Sequence, residues 1–418
     1  MKKTYFTIEP TIAGFTDQLV QFNAFYKLGL SLGFQYIHTP FSSERSNASY
    51  LLVGDVPKDI STGSRIGRWL RGALKWNGPV ADDVFDFLGI NRYFAARRQP
   101  IPGGSGNFRT RTIGLSDNYL LEWNIDSFES LAEHVGNLAR QGASDAEAGP
   151  DGATLINFRL EGPRRNCFSL IQSRFPEFQD GLDLPGIYSQ ERARAPIKSL
   201  YRKDCLKILL HIRQGDTGVV ETPWKTCIPV WSLREDQLKE YESFDRIESA
   251  QLLFEVREYK AFLDQFLQRL ERSARSILVF SDGANRTLRI VERNLGKLGW
   301  SPEQVQGFRA SKADYDQRQF RCFSGESDVR LVVGEEPLKL RQLINSAIES
   351  DIVIVSNQLR MIPKLVANYC DEKTPKVIVL YKKSAPVNSD IVANDGNRFI
   401  YVDIENPDFE SLIRRIRE

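Results

Sequence analysis

The stretch Leu209 to Glu221, LLHIRQGDTGVVE, sets an apolar run directly against four polar side chains able to do chemistry: His211, Arg213, Asp216 and Glu221. Arg213 is a permanent cation whose planar fork of donors matches two oxygens of a phosphate. Two uses of it are open from spacing alone: it grips an anionic ligand, or it pairs with Asp216 and ties down the loop. Two other strand-like runs end in the same manner. Ile277 to Phe280 leads into Ser281-Asp282-Gly283, and Ile352 to Val355 leads into Ser356-Asn357-Gln358. Ligands of open α/β sheets bind outside the carboxyl ends of the strands, so three such ends on neighbouring strands point to one shared cleft. Small polar residues also end ordinary strands, and the last two runs taken singly carry that plainer meaning too.

The elements that must position these groups follow from periodicity. From Lys207 onward, strand-like runs fall at Ile208 to Ile212, Ile277 to Phe280, Val329 to Val333, Ile352 to Val355, Val377 to Tyr381 and Phe399 to Val402. Helical patterns lie between several of them, at Ser249 to Leu270, Arg286 to Leu298, Leu338 to Ile348 and Met361 to Tyr369. This alternation predicts a parallel, doubly wound sheet. A domain boundary is expected near residue 200, after a helical pattern over Gln190 to Tyr201. The domains are then 1–200 and 201–405, with 406–418 a terminal helix able to pack across the boundary.

The opening segment reads as one βαβ unit. Tyr5 to Ile8 is strand-like, Ala13 to Asp17 is a turn, Leu19, Phe22, Phe25 and Leu28 recur at helical spacing, and Phe34 to Ile37 is a second strand. Gly14 lets the chain turn sharply, and Thr16 or Asp17 can cap the helix. Further on, Arg97 to Arg111 reads as a Gly/Pro-rich loop with four arginines, and Gln141 to Gly152 as a polar low-complexity loop. The arginine loop is either a solvated surface segment or a lid over a second ligand.

Composition excludes several classes. The chain has 418 residues, enough for two cores, and its 56 basic and 54 acidic side chains leave a formal net charge of +2. Such a balance offers no overall field for nucleic acid or an anionic membrane, so any anion must be met by a local site. No secretory signal and no membrane-spanning run is expected. The five cysteines are scattered without a CxxC pair, as for reduced thiols of a cytoplasmic protein. His38, His134 and His211 lack metal-ligand spacing, so no metal is expected.

Together these stretches resemble the fucosyltransferase superfamily of GT-B glycosyltransferases, comprising α1,2-, α1,6- and protein O-fucosyltransferases. HIRQGD fits the family's HxRxxD motif at His211, Arg213 and Asp216. GFTDQLVQFNAFYKLGLSLGF is similar to its N-terminal glycine loop and helix, with Phe15-Thr16 where a second glycine is common. VFSDG matches its second motif, and SDIVIVSNQLRMIPKLVAN its third, with Asn357-Gln358 where a second serine or threonine is usual. The α1,6-type enzymes, bacterial nodulation fucosyltransferases among them, extend the first motif to a glutamate ten positions after the histidine. That residue here is Glu221 (221 − 211 = 10), although Thr217 stands where a lysine often follows the aspartate.

The resemblance implies two Rossmann-like domains facing across a cleft, and inverting, metal-independent transfer of fucose from GDP-fucose to a hydroxyl of a glycan acceptor. No cofactor is implied beyond that donor substrate. By the family's pattern Arg213 faces the β-phosphate, and His211 with an acid near the third motif, Asp328 or Asp351, meets guanine. Asp282 lies near the ribose or diphosphate, and Gly14, Asp216, Ser356, Asn357 and Gln358 complete the donor site. Glu221 is the first candidate for the base that deprotonates the acceptor, and Asp17 the second. Another GDP-sugar, or a non-catalytic nucleotide-sugar or glycan-binding role, stays open.

Overall fold

The computed structural model describes residues 4–9, 15–38, 84–97, 109–115, 117–144, 154–160, 181–213, 219–221, 227–229, 255–270, 274–281, 283, 301–312, 315–334, 337–356, 361–370, 374–382 and 398–418. The chain divides into two compact units, Met1–Pro196 and Ile197–Glu418.

Unit 1 runs β1 (Thr4–Ile8), α1 (Phe15–Ser31), β2 (Gln35–Tyr36), α2 (Val84–Phe87), α3 (Ile90–Ala96), β3 (Arg109–Leu115), α4 (Asp117–Glu122), α5 (Phe128–Ser144), β4 (Thr154–Leu160) and α6 (Leu184–Arg194). Its four strands are parallel, in the order β2-β1-β4-β3. The βαβ opening is present, but α1 begins at Phe15, so Thr16 and Asp17, expected in the turn as caps, stand in the first turn of the helix. Helix α1 lies so close to the sheet that a Cβ on Gly29 would stand 2.5 Å from the Phe6 ring. Phe25 stacks on Phe158 of β4 at 5.4 Å between ring centroids, which fixes the helix over both central strands.

Three expectations change here. Arg109 and Arg111 stand on a strand, not in a loop, and Arg111 donates to the Leu138 carbonyl of α5. Helix α5 runs on through Ser144, so the polar stretch expected from Gln141 begins as helix. The helix expected over Gln190 to Tyr201 ends at Arg194, because Pro196 disfavours helical backbone at Ala195, which sits at φ −128 and ψ 77.

Unit 2 runs β5 (Leu206–Ile212), β6 (Val219–Glu221), β7 (Cys227–Pro229), α7 (Val256–Arg269), β8 (Arg275–Ser281), α8 (Pro302–Lys312), α9 (Tyr315–Gln319), β9 (Val329–Val333), α10 (Pro337–Glu349), β10 (Ile352–Ser356), α11 (Met361–Tyr369), β11 (Lys376–Tyr381), β12 (Phe399–Asp403) and α12 (Phe409–Arg417). Helix α7 opens on a reciprocal capping pair, Glu255 and Glu258. The helix expected over Arg286 to Leu298 lies outside the described residues.

Six of these strands form one parallel sheet in the order β12-β11-β10-β5-β8-β9. Numbered by their order in the chain from the other edge, they read 3-2-1-4-5-6, the doubly wound Rossmann order. The central strands are nearly continuous apolar runs because helices cover both faces of a parallel sheet. All five residues of β10 are buried. Helix α12 belongs to this unit: Phe409, Leu412 and Ile413 join its core, and Phe409 stacks on Phe262 of α7 at 5.5 Å.

Candidate functional site

The chain leaves β5 on one side, builds β8 and β9, and returns on the other side to build β10. Strands β5 and β10 therefore flank the point where the strand order reverses, and doubly wound folds hold ligands at such a point. Register sets the strand ends level: His211 pairs with Val355 of β10 and with Phe280 of β8, and Ile212 pairs with Ser281. The three strand ends singled out in the sequence are thus adjacent.

Alternation along β5 sorts its side chains. Leu210 and Ile212 enter the core built with α7, so His211 and Arg213 share the opposite face. His211 is 3 % exposed, and Arg213 is half-buried at the strand end. Burial, with the nearby Arg213 charge second, pushes the His211 pKa down to about 3. The imidazole is therefore neutral at physiological pH, able to donate from one nitrogen and accept at the other. Its Nδ1 has no hydrogen-bond partner among the described residues. Leaving a buried polar atom unmatched costs roughly 1–3 kcal/mol, a cost that a ligand reaching that atom removes.

Ser356, at the end of β10, turns elsewhere. It is 5 % exposed, and its hydroxyl is hydrogen-bonded to Tyr259 of α7, whose own pKa is raised by burial. Its hydroxyl is engaged in anchoring the end of β10 to that helix. Ser281, at the end of β8, accepts from the Gly283 amide at 3.0 Å through Oγ, and its carbonyl accepts from the Gly334 amide at 2.9 Å. Gly283 holds φ at +72, and a Cβ there would lie 2.6 Å from Asp316 Oδ2. Only glycine fits both demands. The Asp316 carboxylate consequently reaches the end of β8. Sequence reading missed this residue because KADYDQRQ has no apolar run to mark a strand end; the glycine after Asp282 is the one local signal.

The acids expected for guanine lie at the other edge of the sheet. Asp328 precedes β9 and accepts from Arg275 Nε at 2.7 Å. Burial, the largest single influence, raises its pKa, but the Arg275 hydrogen bond, a backbone hydrogen bond and the Arg275 and Arg202 charges together outweigh it and hold the carboxyl below its ordinary value. Asp351 precedes β10 and accepts from the Lys207 amide at 2.8 Å. Both carboxylates tie strands together at the amino ends, away from His211, because each sits before its strand in the chain.

Glu221 ends the short strand β6 and pairs in register with Cys227 of β7 in an antiparallel ribbon. Asp17 lies in the first turn of α1. The side chains of both, and Gly14, Asp216, Asp282, Asn357 and Gln358 entirely, lie outside the described residues. Among the described residues no cluster of His, Cys, Asp and Glu could hold a metal ion, and no helix is long and apolar enough to cross a membrane. His38 is hydrogen-bonded to Tyr36 and Asn91, both at 3.1 Å, and His134 to Tyr119 at 2.9 Å. Cys205, Cys322 and Cys370 are free thiols.

No protein-family model matches the chain, and no curated protein matches it. The doubly wound sheet of unit 2 and the groups at its carboxyl edge therefore define it at the level of an α/β protein with two parallel sheets.

Proposed function

We propose that the chain is an inverting glycosyltransferase of the GT-B type, transferring fucose from GDP-fucose to a hydroxyl of a glycan, with unit 2 as donor side and unit 1 as acceptor side. The observation that carries this reading is the pair His211 and Arg213 on one face of β5 at the switch point, the imidazole neutral and its Nδ1 unmatched. A neutral imidazole suits the edge of a base, which offers donors and acceptors but no charge. The guanidinium suits a diphosphate.

In the reaction, the acceptor oxygen attacks C1 of fucose from the face opposite the nucleotide, the C1–O bond to the β-phosphate breaks, and GDP leaves with the bonding electrons. Charge builds on the β-phosphate, where Arg213 contributes hydrogen bonds of about 1.5–3 kcal/mol each. The acceptor proton passes to a carboxylate, Glu221 in the first instance and Asp17 in the second, for a rate gain of about 10² to 10⁴.

Isothermal titration with GDP, with and without EDTA, tests the donor site on wild type and Arg213→Ala. Micromolar binding that survives EDTA and collapses in the variant supports the reading, and absence of GDP binding to wild type overturns it. GDP-fucose against GDP-mannose in the same titration, followed by turnover of Glu221→Gln, sorts the donor sugar and the base.

A further inference from the structure

We propose that Glu9 is the group of unit 1 that receives the acceptor glycan, its carboxylate taking hydrogen bonds from the hydroxyls of an uncharged sugar and turning acidic sugars away; this rests on the reading of unit 1 as acceptor side. Glu9 follows the last residue of β1, and its amide donates to the Phe158 carbonyl of β4 at 2.8 Å, which keeps it in line with the strands. β1 and β4 are the two inner strands of the four, so Glu9 stands half-buried at the carboxyl end of the sheet. Ligands of open α/β sheets bind at that end.

Two buried amides hold Glu9. Asn157 of β4, 1 % exposed, donates from Nδ2 to Glu9 Oε2 at 3.0 Å, and Gln21 of α1, 2 % exposed, donates from Nε2 to the Glu9 carbonyl at 3.3 Å. A carboxylate and a carbonyl only accept, so both amides must present nitrogen to Glu9, and both leave an oxygen facing elsewhere. Neither Gln21 Oε1 nor Asn157 Oδ1 has a partner among the described residues. The oxygen and nitrogen of one amide lie about 2.3 Å apart, which places each unmatched oxygen within about 6 Å of a Glu9 oxygen.

The cost of this arrangement is what points to a ligand. An inner strand of a parallel sheet is ordinarily apolar on both faces, and a leucine at position 157 would leave no amide oxygen unmatched there. Stability of the sheet therefore does not call for Asn157, and breaches of this kind collect at functional sites. What the breach secures is a carboxylate fixed at the strand end with two further acceptor oxygens close by. A sugar hydroxyl supplies the missing donor, whereas a uronic acid sets a second negative charge against Glu9.

The test is NMR titration, without nucleotide, of wild type, Glu9→Gln and Asn157→Leu with cellobiose, lactose and N,N′-diacetylchitobiose, and with disaccharides in which a glucuronic or galacturonic acid replaces a neutral residue. Wild type should bind a neutral sugar about 10-fold or more tightly than its acidic counterpart. Glu9→Gln, which keeps shape and removes charge, should weaken that sugar about 10-fold and narrow the preference. Asn157→Leu should melt at or above wild type and still lose most of the affinity, which a purely structural asparagine does not give. A wild type that binds none of the neutral sugars, or binds the acidic ones equally, overturns the proposal. So does affinity that is lost with Asp17→Asn or Glu161→Gln, acids whose side chains lie outside the described residues, and kept with Glu9→Gln. GDP titration of the same samples reads the donor side separately. GDP bound with no neutral sugar bound removes Glu9 and keeps the donor site; a neutral sugar lost with Glu9→Gln and no GDP bound keeps Glu9 and removes the transferase.

Discussion

The two edges of the six-stranded sheet differ in how their polar groups are satisfied. At the amino edge, Asp328 meets Arg275 and Asp351 meets the Lys207 amide, both inside ordinary hydrogen-bond distance. At the carboxyl edge, buried His211 has Nδ1 unmatched among the described residues, and Gly283 gives up a side chain so that a carboxylate can reach the strand end. Groups matched within the fold contribute to stability, whereas a buried group left unmatched lowers it and is open to a ligand. The contrast therefore separates residues that hold the sheet from residues that can meet something outside it.

The largest effect that would sharpen this contrast is expected from Arg213→Ala. GDP affinity should fall about 100-fold, equivalent to roughly 2.7 kcal/mol, while the melting temperature stays near wild type. A lower melting temperature with no change in affinity would make the carboxyl edge structural like its opposite. Next in size is the pH response of His211. Its folded pKa, about 3, lies below the ordinary unfolded value of 6.5, so the unfolded chain takes up the proton first. Its contribution is intact above pH 6.5 and is lost progressively as pH falls toward 3. Between pH 7 and 5 the loss is about 2 kcal/mol. Denaturant melts should show this slope in wild type and not in His211→Asn. The pH dependence of GDP affinity between pH 5 and 8 should be the same in wild type and His211→Asn, since the folded imidazole does not titrate there.

Smaller effects belong to the amino edge. Asp328→Asn and Asp351→Asn should each lower stability by about 1 kcal/mol and leave the GDP dissociation constant within about 2-fold. A tenfold weakening of GDP by either would break the comparison. The smallest effect is expected from Tyr259→Phe, which removes the hydroxyl that anchors Ser356. Stability should fall by about 1 kcal/mol or less, with GDP affinity changed no more than about 3-fold, both read by titration and urea melts.

Much of unit 2 is legible in its sequence because parallel central strands must be apolar on both faces. ILVF at 277–280 and IVIV at 352–355 announce themselves, and the observed strands exceed the expected spans by three residues and by one. Unit 1 is less legible for the converse reason. β4 reads TLINFRL, with buried Asn157 interrupting its apolar run, and the edge strand β3 alternates arginine with threonine, which mimics a loop. In the site, strand ends could be named from apolar runs, which found His211, Arg213 and Ser356. The partner that turns Ser356 inward, Tyr259, and the acid that reaches β8, Asp316, come from helices remote in the chain, and no local pattern encodes such meetings.

The bond from the Lys207 amide to Asp351 spans 144 residues, and it marks when the crevice comes into being. On the ribosome, β8 and β9 become available to β5 first, while the other side of β5 waits for β10. At about 5–20 residues per second, that interval is about 7–30 s. Through it the nascent chain carries a buried-type apolar strand with one bare edge, the kind of surface that recruits stray strands or a chaperone. A chain truncated before Ile352 would leave that edge of β5 without its β10 partner.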